Sequence, residues 1–181
     1  WVGQVRSIAQ CWFCGSEAGN SIADVIFGKV NPSGKLPFTF PVRIEDSPAH
    51  ALGAYTCGKD VHYKESIYVG YRWFDTKGIR PLFAFGHGLS YTEFEYGEIN
   101  VSSKVSANGV LKASVKVKNI GSRDGKEIVQ LYIGEENPLL ERPTKELKAF
   151  EKVSLAPGET KTVKFEIPVS DLAYFNADTH S

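Results

Sequence analysis

Apolar positions recur with two different periods along the chain, and the change of period falls near residue 100. In the first stretch Ala18, Ile22, Val25 and Ile26 fall at i, i+4, i+7 and i+8, the one-faced spacing of an amphipathic helix. Gly28 follows as its expected left-handed stop. Before that helix, Ser7-Ile-Ala-Gln-Cys-Trp-Phe13 is a short apolar run bounded by Gly15, which predicts a buried strand. The pair predicts a strand-loop-helix, the half-unit of a parallel α/β layer, which needs neighbouring strands that the rest of the sequence does not supply. Beyond residue 100 the period is two. Leu111, Ala113, Val115 and Val117 alternate with Lys112, Ser114, Lys116 and Lys118, and Val163, Phe165 and Ile167 alternate with Lys164 and Glu166. With a strand from Ile128 to Ile133 and turns at Asn119-Ile-Gly121 and Ala156-Pro-Gly-Glu159, this predicts an antiparallel β-sandwich with one wet face.

Between these regions the pattern is irregular. Asn31-Pro-Ser-Gly34 is a turn by composition, and Leu36-Pro-Phe-Thr-Phe-Pro41 is extended, with prolines that bar a central strand. Residues 42–60 are polar and Gly-bearing and predict a long loop. Ile67, Val69, Tyr71 and Trp73 alternate with Tyr68, Gly70, Arg72 and Phe74, which predicts a strand apolar on both faces. Pro81-Leu-Phe-Ala-Phe-Gly-His-Gly-Leu-Ser-Tyr91 is an aromatic, Gly-rich linker packed on a neighbour. The expected division is 1–60, the end of an α/β layer, 61–99, a connector, and 100–181, the sandwich.

Composition narrows the classes. Twenty-one basic and 21 acidic side chains cancel, which removes the basic surplus that a nucleic-acid or anionic-membrane binder needs. A hydrophobic share of 42% is that of a folded chain, and no apolar run approaches a membrane span. The sequence holds no Met and begins at Trp1, as expected of a processed product or a piece of a longer protein. Three cysteines, Cys11, Cys14 and Cys57, are too few and too odd for a disulfide scaffold.

Several long motifs carry a resemblance. Residues 15–41, Gly-Ser-Glu-Ala-Gly-Asn-Ser-Ile-Ala-Asp-Val-Ile-Phe-Gly-Lys-Val-Asn-Pro-Ser-Gly-Lys-Leu-Pro-Phe-Thr-Phe-Pro, resemble the end of the α/β-sandwich domain of glycoside hydrolase family 3, which holds β-glucosidases and β-xylosidases. Residues 67–75 and 81–92 are similar to that family's connector. Gly125-Lys-Glu-Ile-Val-Gln-Leu-Tyr132, Arg142-Pro-Thr-Lys-Glu-Leu-Lys-Ala-Phe150, Leu155-Ala-Pro-Gly-Glu-Thr160 and Asp171-Leu-Ala-Tyr-Phe175 resemble its fibronectin type III-like domain. The implied fold class is mixed: the end of an α/β sandwich followed by a fibronectin type III-like antiparallel sandwich, truncated at its C-terminus by about two strands. Open edges would then make the isolated chain poorly soluble or partly ordered.

The resemblance implies hydrolysis with retention, by two carboxylates about 5–5.5 Å apart. In the family the nucleophile is an Asp on an N-terminal (β/α)8 barrel that also carries the sugar-binding residues, and the acid/base is a Glu upstream of the segment matching Gly15. Both lie outside this chain, so no catalytic, cofactor-binding or metal residue is assigned. The implied partner is a β-linked oligosaccharide held by the absent barrel, with no cofactor, no nucleic acid and no membrane span. Oligomeric state is left open, and compartment too, although the family is often exported.

Several single motifs admit a sharper reading and a plainer one. Cys11-Trp-Phe-Cys14 has redox or zinc spacing, but its place in the predicted strand favours inert buried thiols, and His50 and Cys57 fall in an irregular loop. Gly15-Ser-Glu-Ala-Gly-Asn20 has the look of a phosphate cradle, but no Lys-Ser/Thr follows, and close packing explains the glycines. Glu17 sits where α/β layers place their sites, or serves the positive end of the helix dipole. His87 reads as structural. Tyr68, Tyr71 and Trp73 read as an interface core rather than sugar platforms, and Lys112, Lys116 and Lys118 as a solvated face. A stand-alone fibronectin type III-like module that binds carbohydrate or serves adhesion is the alternative function, and a purely structural fragment is the third.

Overall fold

The computed structural model describes residues 1–55, 58–177 and 179–180; Cys57 lies outside them. The alternating segments form two packed antiparallel sheets. In the first, β3 (Val110–Asn119) pairs along its length with β6 (Thr160–Pro168). Its other edge takes β1 (Phe94–Tyr96) and β2 (Asn100–Val101). The second sheet is β4 (Gly125–Ile133) against β5 (Glu146–Leu155), with a register shift at Leu131/Tyr132. Inward-facing Ala113, Val115, Val117, Val129, Leu131, Leu155, Val163, Phe165 and Ile167 fill the space between the sheets, and Lys112, Lys116 and Lys118 stand in water as the period of two requires.

Asn119 closes the end of this core and is fully buried. Its Oδ1 accepts from Thr92 Oγ1 at 2.7 Å and from the Gly121 amide at 3.1 Å, and its Nδ2 donates to the carbonyls of Arg123 at 2.7 Å and Leu155 at 3.0 Å. One side chain thereby ties the β3–β4 turn, the end of β5 and the entry to β1. All of its bonding capacity is met, which is what makes a buried amide tolerable.

The first half of the chain follows the sequence less closely. The helix appears as α1 (Ala18–Ile26), and Gly28 takes the left-handed stop at φ 72°. Residues 7–13 form no strand. A parallel strand is held by ladders on its edges, and none of the described residues offers one. The loop over 42–60 contains a short helix, α2 (Pro48–Ala51), started by Pro48 in its first turn. The strand expected over 67–74 is instead α3 (Tyr71–Lys77). Gly70, at φ 59°, ends the extended run and turns the chain into the helix. A helix of two turns is too short to display a 3.6 period, so its bulky residues read as alternation. Trp73 and Phe74 pack with Tyr68 into a second, smaller core flanked by Leu52 and Ile79.

The chain exposes 12946 Å² at 20.0 kDa, about half as much again as the ~8,700 Å² of a compact monomer of that mass. Much of the excess is apolar and lies before residue 92. Phe13 is 105% exposed and Phe27 86%, and Trp1, Trp12, Ile26 and Val42 are also open. No helix among the described residues is long and apolar enough to cross a membrane.

Replacing Asn119 by Ala leaves four partners unmet at once, those of Thr92 and Leu155 buried. Denaturation followed by far-UV circular dichroism is expected to show a loss of roughly 3–5 kcal/mol; a loss under about 1 kcal/mol would mean that Asn119 does not close the core.

Candidate functional site

Polar groups cluster where segments 31–40 and 81–92 meet the sandwich. The two segments first pair with each other. The Leu36 amide donates to His87 O, Gly86 to Leu36 O, Phe40 to Phe83 O and Leu82 to Phe40 O, each at 2.8 Å. Pro37 lies between the bonded residues of this short ladder and Pro41 follows it, and neither spoils it, since a proline lacks only its own donor. Close approach is built into the glycines: a Cβ on Gly88 would strike the Gly34 carbonyl, and one on Gly86 the side chain of Gln130.

This ribbon is fastened to the start of β4. Lys35 Nζ lies 3.0 Å from Glu127 Oε2 and donates to Gly88 O at 3.0 Å, and both side chains of the ion pair are largely buried (17% and 11% exposed). The ring of Tyr96 is half open, but its hydroxyl turns inward and donates to Glu127 Oε1 at 2.9 Å. Burial, and then the Glu127 charge, push this phenol well above its ordinary pKa. Asn31 adds a second fastening. Its Nδ2 donates to Asp124 O at 2.9 Å, and its Oδ1 accepts from Ser90 Oγ at 2.9 Å and the Tyr91 amide at 2.8 Å. Arg123 reaches back to the Gly28 carbonyl and lies over the Tyr91 ring, while Tyr91 donates to Val25 O on α1 at 2.8 Å.

A second seam joins α3 to β5. Tyr71 accepts the Leu147 amide at 2.7 Å and stacks on Phe85 at 4.8 Å, with Tyr132 edge-on. Arg72 meets Glu146 at 2.8 Å, and Glu146 also receives Arg142 and Lys148. Burial, followed by the charges of Tyr71 and Asp75, raises the Tyr132 phenol to about 12. Glu127 and Glu146 are therefore both engaged by cations that hold the two halves of the chain together.

The residues singled out from the sequence do not gather at this clasp. Glu17 is exposed at the head of α1, accepts from Asn20 Nδ2 at 2.7 Å and makes no capping bond to the backbone. Cys14 is exposed and Cys11 half-buried in an irregular segment, both as free thiols, with Cys14 Sγ donating to Cys11 O at 2.6 Å. The strand that was to bury them is absent. His50 bonds Ser47 Oγ at 3.0 Å and stacks on Tyr55. Among the described residues no group of three or more His, Cys, Asp or Glu could hold a metal ion. His87 serves through its carbonyl and stacks on Phe83. Tyr68 and Trp73 are core, the Trp73 Nε1–H donating to Asp46 O, and Tyr71 is at the seam. Sequence reasoning missed Lys35, Glu127, Tyr96 and Asn31. The one local signal is Glu127, an acid at an inward position of a strand otherwise apolar on that face.

Comparison with known proteins matches two family models to the chain. Residues 1–91 match the family model described as the glycosyl hydrolase family 3 C-terminal domain, and residues 127–181 match that of the fibronectin type III-like domain. Thermostable beta-glucosidase B of Acetivibrio thermocellus is 52% identical over 179 residues, covering 97% of this chain and 23% of that protein. Beta-glucosidase BoGH3A of Bacteroides ovatus is 51% identical over 180 residues, covering 97% and 24%. The crystal structure of a Bifidobacterium adolescentis GH3 beta-glucosidase superposes with a TM-score of 0.91 at 37% identity, over 99% of this chain and 26% of that one. Beta-glucosidase 3B from Thermotoga neapolitana in complex with glucose superposes at 0.81, with 46% identity over 88% and 22%. The chain thus spans under a quarter of the length of these two curated relatives.

Two outcomes are expected from the clasp. Lys35→Met and Glu127→Gln are each expected to destabilise by about 3–5 kcal/mol, because each leaves a buried polar partner unpaired, and the double variant by clearly less than the sum; strict additivity in urea denaturation would separate the two residues energetically. Tyr132 has its folded pKa above the unfolded value of 10, so its contribution is full below pH 10 and is lost as pH rises through about 12. Tyr132→Phe is expected to flatten that alkaline loss, and an unchanged slope would refute it.

Proposed function

The chain belongs to glycosyl hydrolase family 3, and from that premise we propose that it is the rear part of a retaining β-glycosidase that removes terminal β-linked glucose or xylose from oligosaccharides. In this reading residues 1–60 complete an α/β layer, 61–99 connect it to the sandwich, and 100–181 brace the assembly. The carboxylate pair that breaks the glycosidic bond lies on other parts of the parent, the nucleophile on a (β/α)8 barrel, and no residue of this chain is catalytic. Substrate reaches the parent through that barrel, and hydrolysis by two carboxylates needs no cofactor.

The observation that carries the proposal is the clasp. The best-buried ion pair among the described residues, Lys35 with Glu127, joins segment 31–35 to the sandwich, so these charges serve attachment. The apolar surface before residue 92 supports the same reading. Phe13, Ile26 and Phe27 are large apolar side chains left open to water, of the kind that a neighbouring layer covers. Glu17, the acid at the head of α1, accepts a hydrogen bond from Asn20 and faces open solvent. A stand-alone carbohydrate-binding module would present a row of aromatic rings on one sheet face, whereas Phe94 packs against the sandwich core and Tyr132 at the seam.

The purified chain is expected to release no nitrophenol from nitrophenyl β-glucoside or β-xyloside, and Glu17→Gln in the full-length parent to leave kcat unchanged. Turnover by the chain alone that disappears in Glu17→Gln would overturn the proposal.

A further inference from the structure

The seam between α3 and the second sheet leaves a half-open cavity of about 200 Å³, room for roughly six or seven waters. Its walls come from α3, the connector at 81–85, Thr39 of the preceding segment, the outer face of β4 and Lys145 just before β5. One wall is aromatic, with Tyr71 and Phe85 stacked at 4.8 Å and 26°, and Tyr132 set nearly perpendicular to Tyr71. The polar groups stand at its rim. Lys145 Nζ lies 3.3 Å from Asp75 Oδ2, and 5.5 Å from the centre of the Tyr132 ring.

Much of this polar equipment is only half used. Tyr71 accepts the Leu147 amide, which leaves its own O–H to donate. Lys145 commits one of its three N–H groups to Asp75, and Asp75 keeps a second carboxylate oxygen. Gln130 donates one amide hydrogen to Gly86 O and accepts from Tyr132, leaving the other hydrogen. Thr39 also lines the cavity, but its hydroxyl is turned away into the protein and takes no part in the site.

The charges choose the ligand class. Asp75 opposes an anion and Lys145 opposes a cation, so the site is neutral. Unspent donors and acceptors interleave beside a ring face, the arrangement that suits a small molecule with several hydroxyls and an apolar C–H face. We propose that this cavity is a binding site for a small neutral polyol of about monosaccharide size, bridging α3 to the β4–β5 sheet. Occupancy would fasten the second seam as Lys35 fastens the first. The site lies wholly within this chain and does not depend on the parent's hydrolytic activity.

Amide shifts in ¹⁵N-labelled chain, titrated separately with D-glucose and glycerol, test it. Saturable shifts confined to Gln130, Tyr132, Lys145 and the α3 amides are expected, with millimolar affinity, and neither inorganic phosphate nor tetramethylammonium should reproduce them. Lys145→Met and Asp75→Asn, both at half-exposed rim positions that the fold tolerates, should each weaken binding about tenfold; Lys126→Met, elsewhere on β4, should not. Absence of saturable shifts up to about 100 mM polyol, equal shifts with phosphate, or affinity indifferent to both rim variants would each overturn the site. Failure here leaves the nitrophenol experiment untouched, and the reverse holds too.

Discussion

Lys35 is an ammonium ion taken out of water, and the arrangement of the chain around it follows from that cost. Desolvating the charge is tolerable only if a counter-charge and further acceptors are already in place. Glu127 supplies the first and Gly88 O the second, and Tyr96 satisfies the other oxygen of Glu127. These four residues come from segment 31–35, the connector, β1 and β4. None of those segments can move away without leaving a charge unpaired in a poorly solvated place. A hydrophobic contact of equal area would tolerate sliding, whereas an ion pair with directed hydrogen bonds sets register. The Asn31 fastening and the Tyr71 seam then lie within reach of partners whose positions are already determined.

The consequence is a chain whose attachments are specific on one side and bare on the other. Toward the sandwich, the connector is held by a short ladder, an ion pair and stacked rings. Away from it, α1 and the segment before it present Phe13, Ile26 and Phe27 to solvent. Burial of apolar surface is the main driving force of association, so that face belongs against another layer. A brace needs both features. It must be rigid within itself, which the clasp and Asn119 provide, and it must offer a broad apolar face to what it supports.

How far this was legible in the sequence depends on the range of the interactions involved. α1 and strands β3 and β6 are written locally, because burial on one face imposes a period that a short window reveals. Gly28 likewise declared its left-handed turn. α3 was misread because two turns show too few residues to separate a period of 3.6 from one of two, and because its bulky side chains point both into a core and across a seam. Ser7 to Phe13 has strand composition, but a strand exists only with its neighbours. The buried thiols expected at Cys11 and Cys14 failed with it. The clasp was hidden for another reason. Lys35 and Glu127 are 92 positions apart, and a lysine after a turn looks like any solvated lysine until the fold brings a carboxylate to it. Several motifs quoted for the family resemblance, Asn31-Pro-Ser-Gly-Lys35 and Gly86-His-Gly88 among them, are the segments that make the clasp. The resemblance pointed to the right residues without saying what they do.

Native-state hydrogen exchange puts the central claim, that connector and sandwich open as one unit, to the most direct test. The amides of Leu36, Phe40, Leu82 and Gly86 report on the ribbon, and those of Val129 and Leu131 on β4. The two groups should exchange with a common opening free energy, and Lys35→Met should lower both together. Ribbon amides that exchange freely while β4 stays protected, or a Lys35→Met effect confined to the ribbon, would show that the two halves are merely adjacent.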